Sequence, residues 1–182
     1  KMMSIFSLLF GAGIVMVADR AAAAGRSPAA LHYKRMGWLL AIGLVHLFLL
    51  WYGDILVIYA LVGSVAFLLR RLPVRWLVVC GGLLLGVAIA IWLGFAGLMV
   101  LAESLDPGST AEVEAYDVQG IEAEIAAYRG GPLSQLTHRV PSALFMLLFI
   151  GPILMYWWAG GMMLLGMAAM KTGLIKGHLP AR

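Results

Sequence analysis

The stretch GLVHLFLLWYGDILVIYA, residues 43–60, contains the pattern that decides the fold. Every residue in it is apolar, aromatic or glycine except His46 and Asp54. The pattern predicts the end of one membrane helix and the start of the next, joined only by Tyr52-Gly53-Asp54. Because so short a link cannot carry the chain elsewhere, the two helices are expected to be antiparallel neighbours.

The composition of the whole chain indicates a membrane protein. Hydrophobic residues make up 63% of the 182 residues and charged residues 12%, with a mean hydropathy of +0.95. Soluble domains contain roughly 45–50% apolar and about 25% charged residues. A helix needs about 20 apolar residues to cross the hydrocarbon layer. We therefore predict an all-α, polytopic transmembrane bundle of about five membrane helices, with residues 1–182 as one transmembrane region. Membrane lipids are the expected partners, and no nucleic-acid partner is predicted.

The positions of lysine and arginine predict the topology. These residues concentrate in loops 19–35 and 70–75 and in the C-terminal tail, which the positive-inside rule assigns to the cytoplasm. The hairpin at Asp54 and the segment 103–140 then share the outer face. A kink is expected near Pro152, where the ring blocks a backbone hydrogen bond. The predicted membrane helices cover about 3–18, Met36–Trp51, Ile55–Leu69, Trp76–Ala102 and Ser142–Met170. The first is short for a full span, and an extension through Asp19 into the alanine run 21–24 is the alternative.

Segment 103–140 is acidic. It contains seven of the nine acidic residues, and Ile121, Ile125 and Tyr128 fall on one face of a helix. This spacing predicts a short amphipathic helix on the outer face, ended at Gly130-Gly131-Pro132. A solvated linker is the alternative.

His46 and Asp54 are the candidate catalytic residues. His46 lies six residues before the predicted helix end, about 9 Å below the outer surface. A carboxylate that orients an imidazole fixes its tautomer and raises its basicity, as a general base requires. Two structural alternatives remain open: Asp54 as the N-cap of the next helix, and His46 as a neutral ring bonded to a carbonyl. An ionisable residue within a membrane segment is nonetheless a functional hypothesis by default.

Other polar residues are expected at the same outer mouth. Arg129, Arg139 and Tyr52 are predicted to bind substrate, since arginine holds phosphate or carboxylate groups well. An interfacial anchor is the alternative role for Arg139, and His138 is a weaker candidate. The sequence has no metal-ligand spacing, phosphate-binding glycine loop or nucleophile elbow. No metal and no cofactor are predicted.

Four segments resemble the YeiB-like bacterial inner-membrane proteins: FSLLFGAG (6–13), residues 32–60 with the H-x7-D spacing of His46 and Asp54, EIAAYRGG (124–131) and LLGMAAMKTGLIKG (164–177). The resemblance implies a multi-pass protein of the bacterial inner membrane and a segment of a longer chain, with further helices on both sides. The opening Lys1-Met2-Met3, which lacks a signal-peptide pattern, is expected for such a segment. The resemblance also implies a distant grouping with membrane acyltransferases, in which His46 would be the catalytic residue and Asp54 its partner.

Three functions remain open. The first is an acyltransferase-like enzyme that modifies an envelope glycan, sugar or lipid acceptor at the outer face, using acyl-CoA or a lipid as the acyl donor. The second is a transporter or channel component in which His46 is a proton-linked switch. The third is a non-catalytic membrane scaffold.

Overall fold

The computed structural model describes residues 2–108 and 120–175, and within these ranges every regular element is helical. This confirms the all-α prediction. The elements are α1 (Met2–Ala23), α2 (Pro28–Val45) continued by a π-helix (His46–Leu50), α3 (Leu56–Leu68) followed by a 3₁₀ turn (Leu69–Arg71), α4 (Val74–Leu105), α5 (120–129), α6 (Pro132–Phe145), a second π-helix (Met146–Met155) and α7 (Tyr156–Lys171).

Four helical segments of the described chain are long and apolar enough to cross a membrane. These are Met2–Ala23, Pro28–Leu50, Val74–Leu105 and Pro132–Lys171. The fifth predicted span, α3, has only 13 residues, or about 20 Å, and is shorter than the hydrocarbon layer. The described residues thus form an all-α membrane bundle with four helical segments long enough to cross a membrane and the shorter α3.

The link between the first two helices is much shorter than the predicted loop 19–35. α1 ends in a Schellman motif, where Arg26 N–H bonds to Ala21 O and Gly25, at φ +67°, bonds to Ala22 O. Ser27 then caps α2, its hydroxyl oxygen accepting a hydrogen bond from Ala30 N–H. The extension of the first helix through Asp19 into the alanine run is confirmed, since α1 ends at Ala23. The prediction that the link continues to residue 35 was wrong, because the residues from Pro28 onward lie on α2.

The long C-terminal helical segment begins at Pro132 rather than at Ser142. Proline at the first helical position suits a helix start, and polar residues such as Gln135 and Arg139 lie on its first turns. The predicted acidic segment 103–140 therefore contributes residues to α4 and α6 as well. Its central part includes α5, which contains the predicted amphipathic residues, whereas 109–119 lie outside the described residues.

Pro152, where a kink is expected, lies in a π-helix of 10 residues. Tyr156 N–H bonds to Gly151 O, the wider spacing that a π-helix uses. A proline inside a helix leaves a carbonyl without its donor, and the wider turn absorbs that loss.

The core forms where α7 packs against both α1 and α4. α1 and α7 approach closely through glycine, since a side chain on Gly11 would overlap the Met163 backbone and one on Gly166 would overlap the Leu8 backbone. Tyr59 of α3 is completely buried beside this crossing, with its hydroxyl 2.6 Å from Ser7 Oγ.

The two ends of the bundle differ in charge. The basic end comprises the turns 24–27, 69–73 and 172–175, and Lys171 Nζ joins two of these by donating to Leu72 O at 2.7 Å. The hairpin end comprises the turn 51–55, near the junction of α5 and α6. All three predicted basic loops therefore lie at one end, although tail residues 176–182 are outside the described residues.

Candidate functional site

His46 begins the π-helix at the hairpin end. Its carbonyl accepts the Trp51 N–H at 2.8 Å, five residues on, and this wide turn closes α2. The imidazole is only partly buried, since 33% of its side-chain surface is exposed. The ring is therefore not sealed in the core of the bundle.

Asp54 is buried directly opposite, with 1% of its side chain exposed. Its two carboxylate oxygens have different partners. Oδ2 accepts the Val57 N–H at 3.0 Å, which is the capping contact at the start of α3. Oδ1 lies 2.9 Å from Nδ1 of His46. The structural and the functional alternatives for Asp54 are thus compatible, because each uses one oxygen.

The contact between His46 and Asp54 is close but not a well-aligned hydrogen bond. Nδ1 is buried and no acceptor lies in line with it, although Oδ1 is within 2.9 Å. Catalytic hydrogen bonds are often poorly aligned without substrate and tighten when it binds. The proximity confirms the predicted meeting of the two side chains, while their catalytic role stays a prediction.

Arg139 joins the site from α6. The residue is 4% exposed, and its guanidinium donates from Nη1 to Leu49 O and from Nε to the Tyr128 hydroxyl, the latter at 3.3 Å. Leu49 O is one of the carbonyls left free by the end of the π-helix. Arg139 is therefore a buried bridge to the helix that carries His46. Its predicted roles as a substrate contact or an interfacial anchor stay predictions.

Tyr52 ties the hairpin to α5. Its hydroxyl donates to Glu124 Oε2 at 3.3 Å. Burial, and then the carboxylate of Glu124, raise the pKa of Tyr52, so the hydroxyl keeps the proton that it donates. Together with the contact between Arg139 and Tyr128, this bond attaches α5 to the hairpin end.

Arg129 and His138 are not brought to the pair of His46 and Asp54. Arg129 is exposed at the end of α5. His138 lines a separate open groove of about 550 Å³ with Ser134 and Thr137, and its Nδ1 is buried without a partner among the described residues. The predicted substrate role of Arg129 stays a prediction.

A second histidine, His32, was missed by the sequence reasoning. It is 4% exposed at the basic end, its Nε2 lies 3.2 Å from Gly63 O, and its ring stacks on Phe67 at 4.2 Å. The signal was present, because an ionisable residue stood among apolar residues near the end of the predicted loop 19–35. It was overlooked because that region was assigned to a link and not to a helix.

An apolar cavity lies elsewhere in the bundle. It has a volume of about 340 Å³ between α3, α4 and the C-terminal helical segment, and its lining includes Val65, Leu84, Pro152 and Tyr156. Neither His46 nor Asp54 lines it. Within residues 2–108 and 120–175, no group of three or more His, Cys, Asp or Glu side chains could hold a metal ion.

Two known proteins are similar to this chain. The uncharacterized protein YeiB of Escherichia coli (strain K12) is 31% identical over 185 aligned residues, which cover 100% of this chain and 44% of YeiB. The uncharacterized protein YxaH of Bacillus subtilis (strain 168) is 33% identical over 140 residues, covering 76% of this chain and 33% of YxaH. The chain thus spans less than half the length of either relative.

No family model and no solved structure matches the chain. The two similarities agree with the resemblance seen in the four sequence segments, and the alignment with YeiB includes both His46 and Asp54, since it covers the whole chain. This chain is a YeiB-like membrane protein, homologous to a portion of these longer bacterial proteins.

Proposed function

We propose that the chain contributes the acceptor-activating site of a membrane acyltransferase-like enzyme, with His46 as general base. The observation that carries the proposal is the 2.9 Å approach of Asp54 Oδ1 to His46 Nδ1 beside a ring that is one-third exposed. A carboxylate at Nδ1 favours the tautomer with its proton there, which leaves Nε2 free to accept a proton from a substrate. This is the division of roles that general-base catalysis on a hydroxyl needs.

The proposed reaction moves an acyl group to a hydroxyl of an envelope glycan, sugar or lipid. His46 Nε2 takes the proton of the acceptor hydroxyl as its oxygen attacks the acyl carbonyl. The bond between the carbonyl carbon and the donor's leaving atom then breaks, and the imidazolium returns the proton to that leaving group. The products are an ester of the acceptor and the protonated donor fragment, such as coenzyme A if the donor is acyl-CoA.

Arg139 has a positioning role in this proposal. Its guanidinium holds Leu49 O, three residues beyond His46, and so restrains the turn that presents the ring. Tyr52 and Arg129 remain proposed substrate contacts, since Tyr52 borders the turn and Arg129 is exposed at the end of α5.

The proposed location is the bacterial inner membrane, with the basic end in the cytoplasm and the hairpin end outside. The clustering of Lys171 and the turn 69–73 at one end supports this orientation through the positive-inside rule. The pair of His46 and Asp54 would then face the periplasmic or extracellular side, where envelope acceptors are found.

The test is to express the full chain as His46→Gln and measure acyl groups on envelope glycans and lipids by mass spectrometry. We expect a loss of about a hundredfold or more, because general-base catalysis contributes on the order of 10²–10⁴. His138→Gln is the matched control at the same end and should keep its activity. Unchanged acylation in a normally expressed His46→Gln protein would contradict the proposal. If the purified chain moves a solute across liposome membranes in a pH-dependent way and His46→Gln loses this movement, the proton-linked transporter is favoured.

A further inference from the structure

A polar cavity lies at the basic end of the bundle, opposite to the hairpin end that carries His46. Its volume is about 330 Å³, and it lies between the C-terminal half of α1, the start of α2, the 3₁₀ turn after α3 and the end of α7. Its charged lining consists of Arg70, Arg71, Lys171 and one carboxylate, Asp19. The fold thus brings Lys171 into one cavity with the adjacent arginines Arg70 and Arg71, which lie far from it in the sequence.

Two of these cations are held in place by backbone carbonyls. Arg70 Nη1 donates to Phe67 O at 3.1 Å, and its guanidinium lies 3.7 Å from the centre of the Phe67 ring. Lys171 Nζ donates to Leu72 O at 2.7 Å. A guanidinium has five N–H donors and an ammonium three, so both retain free donors after these contacts.

The positive charge of the cavity is not balanced by the described residues. Three cations face one carboxylate, and within the described chain none of the four side chains forms an ion pair. Burial, and then the charge of Arg71, lower the pKa of Arg70, which is the response of a cation placed near like charge. α2 also begins beside the cavity at Pro28, so the positive end of its dipole adds to the field.

We propose that this cavity binds a phosphate group, either the headgroup of an anionic phospholipid or a soluble phosphate compound. Clustered guanidinium and ammonium donors match the oxygens of a phosphate, and the ligand's negative charge would offset the excess of the lining. Basic pockets between helices at a membrane surface bind lipid headgroups on this principle. The site does not depend on the acyltransferase proposal.

The experiment measures binding to the purified full chain in detergent by native mass spectrometry. The probes are dihexanoyl-phosphatidylglycerol, which is anionic, and dihexanoyl-phosphatidylcholine, which is zwitterionic. We expect Arg71→Gln to weaken phosphatidylglycerol binding about fivefold, since each basic residue near a headgroup contributes about that factor. Arg71 is exposed, so the substitution leaves the core intact.

Arg75→Gln is the matched control, because it removes the same charge from the same end but does not line the cavity. It should leave binding within about twofold of the unsubstituted chain. Displacement of the lipid by inorganic phosphate would assign a soluble phosphate, and resistance to displacement would assign the headgroup. Phosphatidylglycerol binding that Arg71→Gln does not change, or that Arg75→Gln weakens equally, would overturn the proposal.

Discussion

The two membrane-embedded histidines, His32 and His46, occupy opposite ends of the bundle and have contrasting surroundings. His32 is buried, stacks on Phe67 and bonds to Gly63 O. His46 is one-third exposed and faces the carboxylate of Asp54. The same residue type is thus a packed core element at one end and an accessible polar group at the other.

The difference lies in what each ring leaves free. Packing on Phe67 uses the face of His32, and the carbonyl of Gly63 uses its Nε2, so the ring serves helix association. In His46 the carboxylate is at Nδ1, which leaves Nε2 for another molecule. This second nitrogen is what the proposed general-base role of His46 uses, whereas in His32 the same nitrogen already faces the Gly63 carbonyl.

The largest expected effect is a difference in the free energy of unfolding between alanine variants of the two histidines. His32→Ala should lower the free energy of unfolding by about 3 kcal/mol, because it removes a packed ring and leaves the Gly63 carbonyl without its partner. His46→Ala should cost less than about 1 kcal/mol, since the ring is partly exposed. Reversible unfolding in mixed micelles measures both values. Equal losses would remove the distinction between the two sites.

The next effect concerns Arg139, which holds the turn of His46. Arg139→Lys should lower the free energy of unfolding by about 2 kcal/mol, because an ammonium cannot reach both Leu49 O and Tyr128. Tyr128→Phe, the control, removes only one weak acceptor and should cost about 0.5 kcal/mol. The same micelle titration applies. A lysine variant as stable as the original chain would show that the bridge adds nothing.

A smaller effect tests the two roles of Asp54. Asp54→Ala should lower the free energy of unfolding by about 1 kcal/mol through loss of the cap on Val57, whereas asparagine also caps and should cost only a few tenths. Asp54→Asn still loses the carboxylate beside His46, so acylation should fall while stability is retained. An asparagine variant with full acylation would reduce Asp54 to a cap.

The smallest effect concerns the attachment of α5. Tyr52→Phe removes the hydrogen bond to Glu124 and should lower the free energy of unfolding by only about 0.5 kcal/mol. It should also speed amide hydrogen exchange in residues 120–129. Tyr33→Phe is the control, because Tyr33 donates to Ser64 O in another part of the bundle. Exchange in 120–129 that does not respond to Tyr52→Phe would argue against this attachment.

The sequence predicted local features well and helix limits less well. The hairpin at Tyr52-Gly53-Asp54 was found as expected, because it depends on a few adjacent residues. A π-helix lies at Pro152, where a kink was predicted. The starts of α2 and of the long C-terminal helical segment were misplaced. Polar residues on the terminal turns of a membrane helix look like a loop to a hydropathy argument, although Ser27 and Pro132 mark the true starts.

By itself the sequence determined that this chain is an α-helical membrane protein whose basic residues gather at one end, because hydropathy and charge follow from composition and order alone. The three-residue hairpin also predicted that His46 and Asp54 lie close together, because it joins two antiparallel neighbours. Only the tertiary structure decided which distant polar groups meet. The burial of Arg139 against Leu49 and the cavity lined by Arg70 and Lys171 depend on how the helices rotate and pack against one another. Those rotations are set by side-chain interlocking between distant segments, which no local pattern encodes.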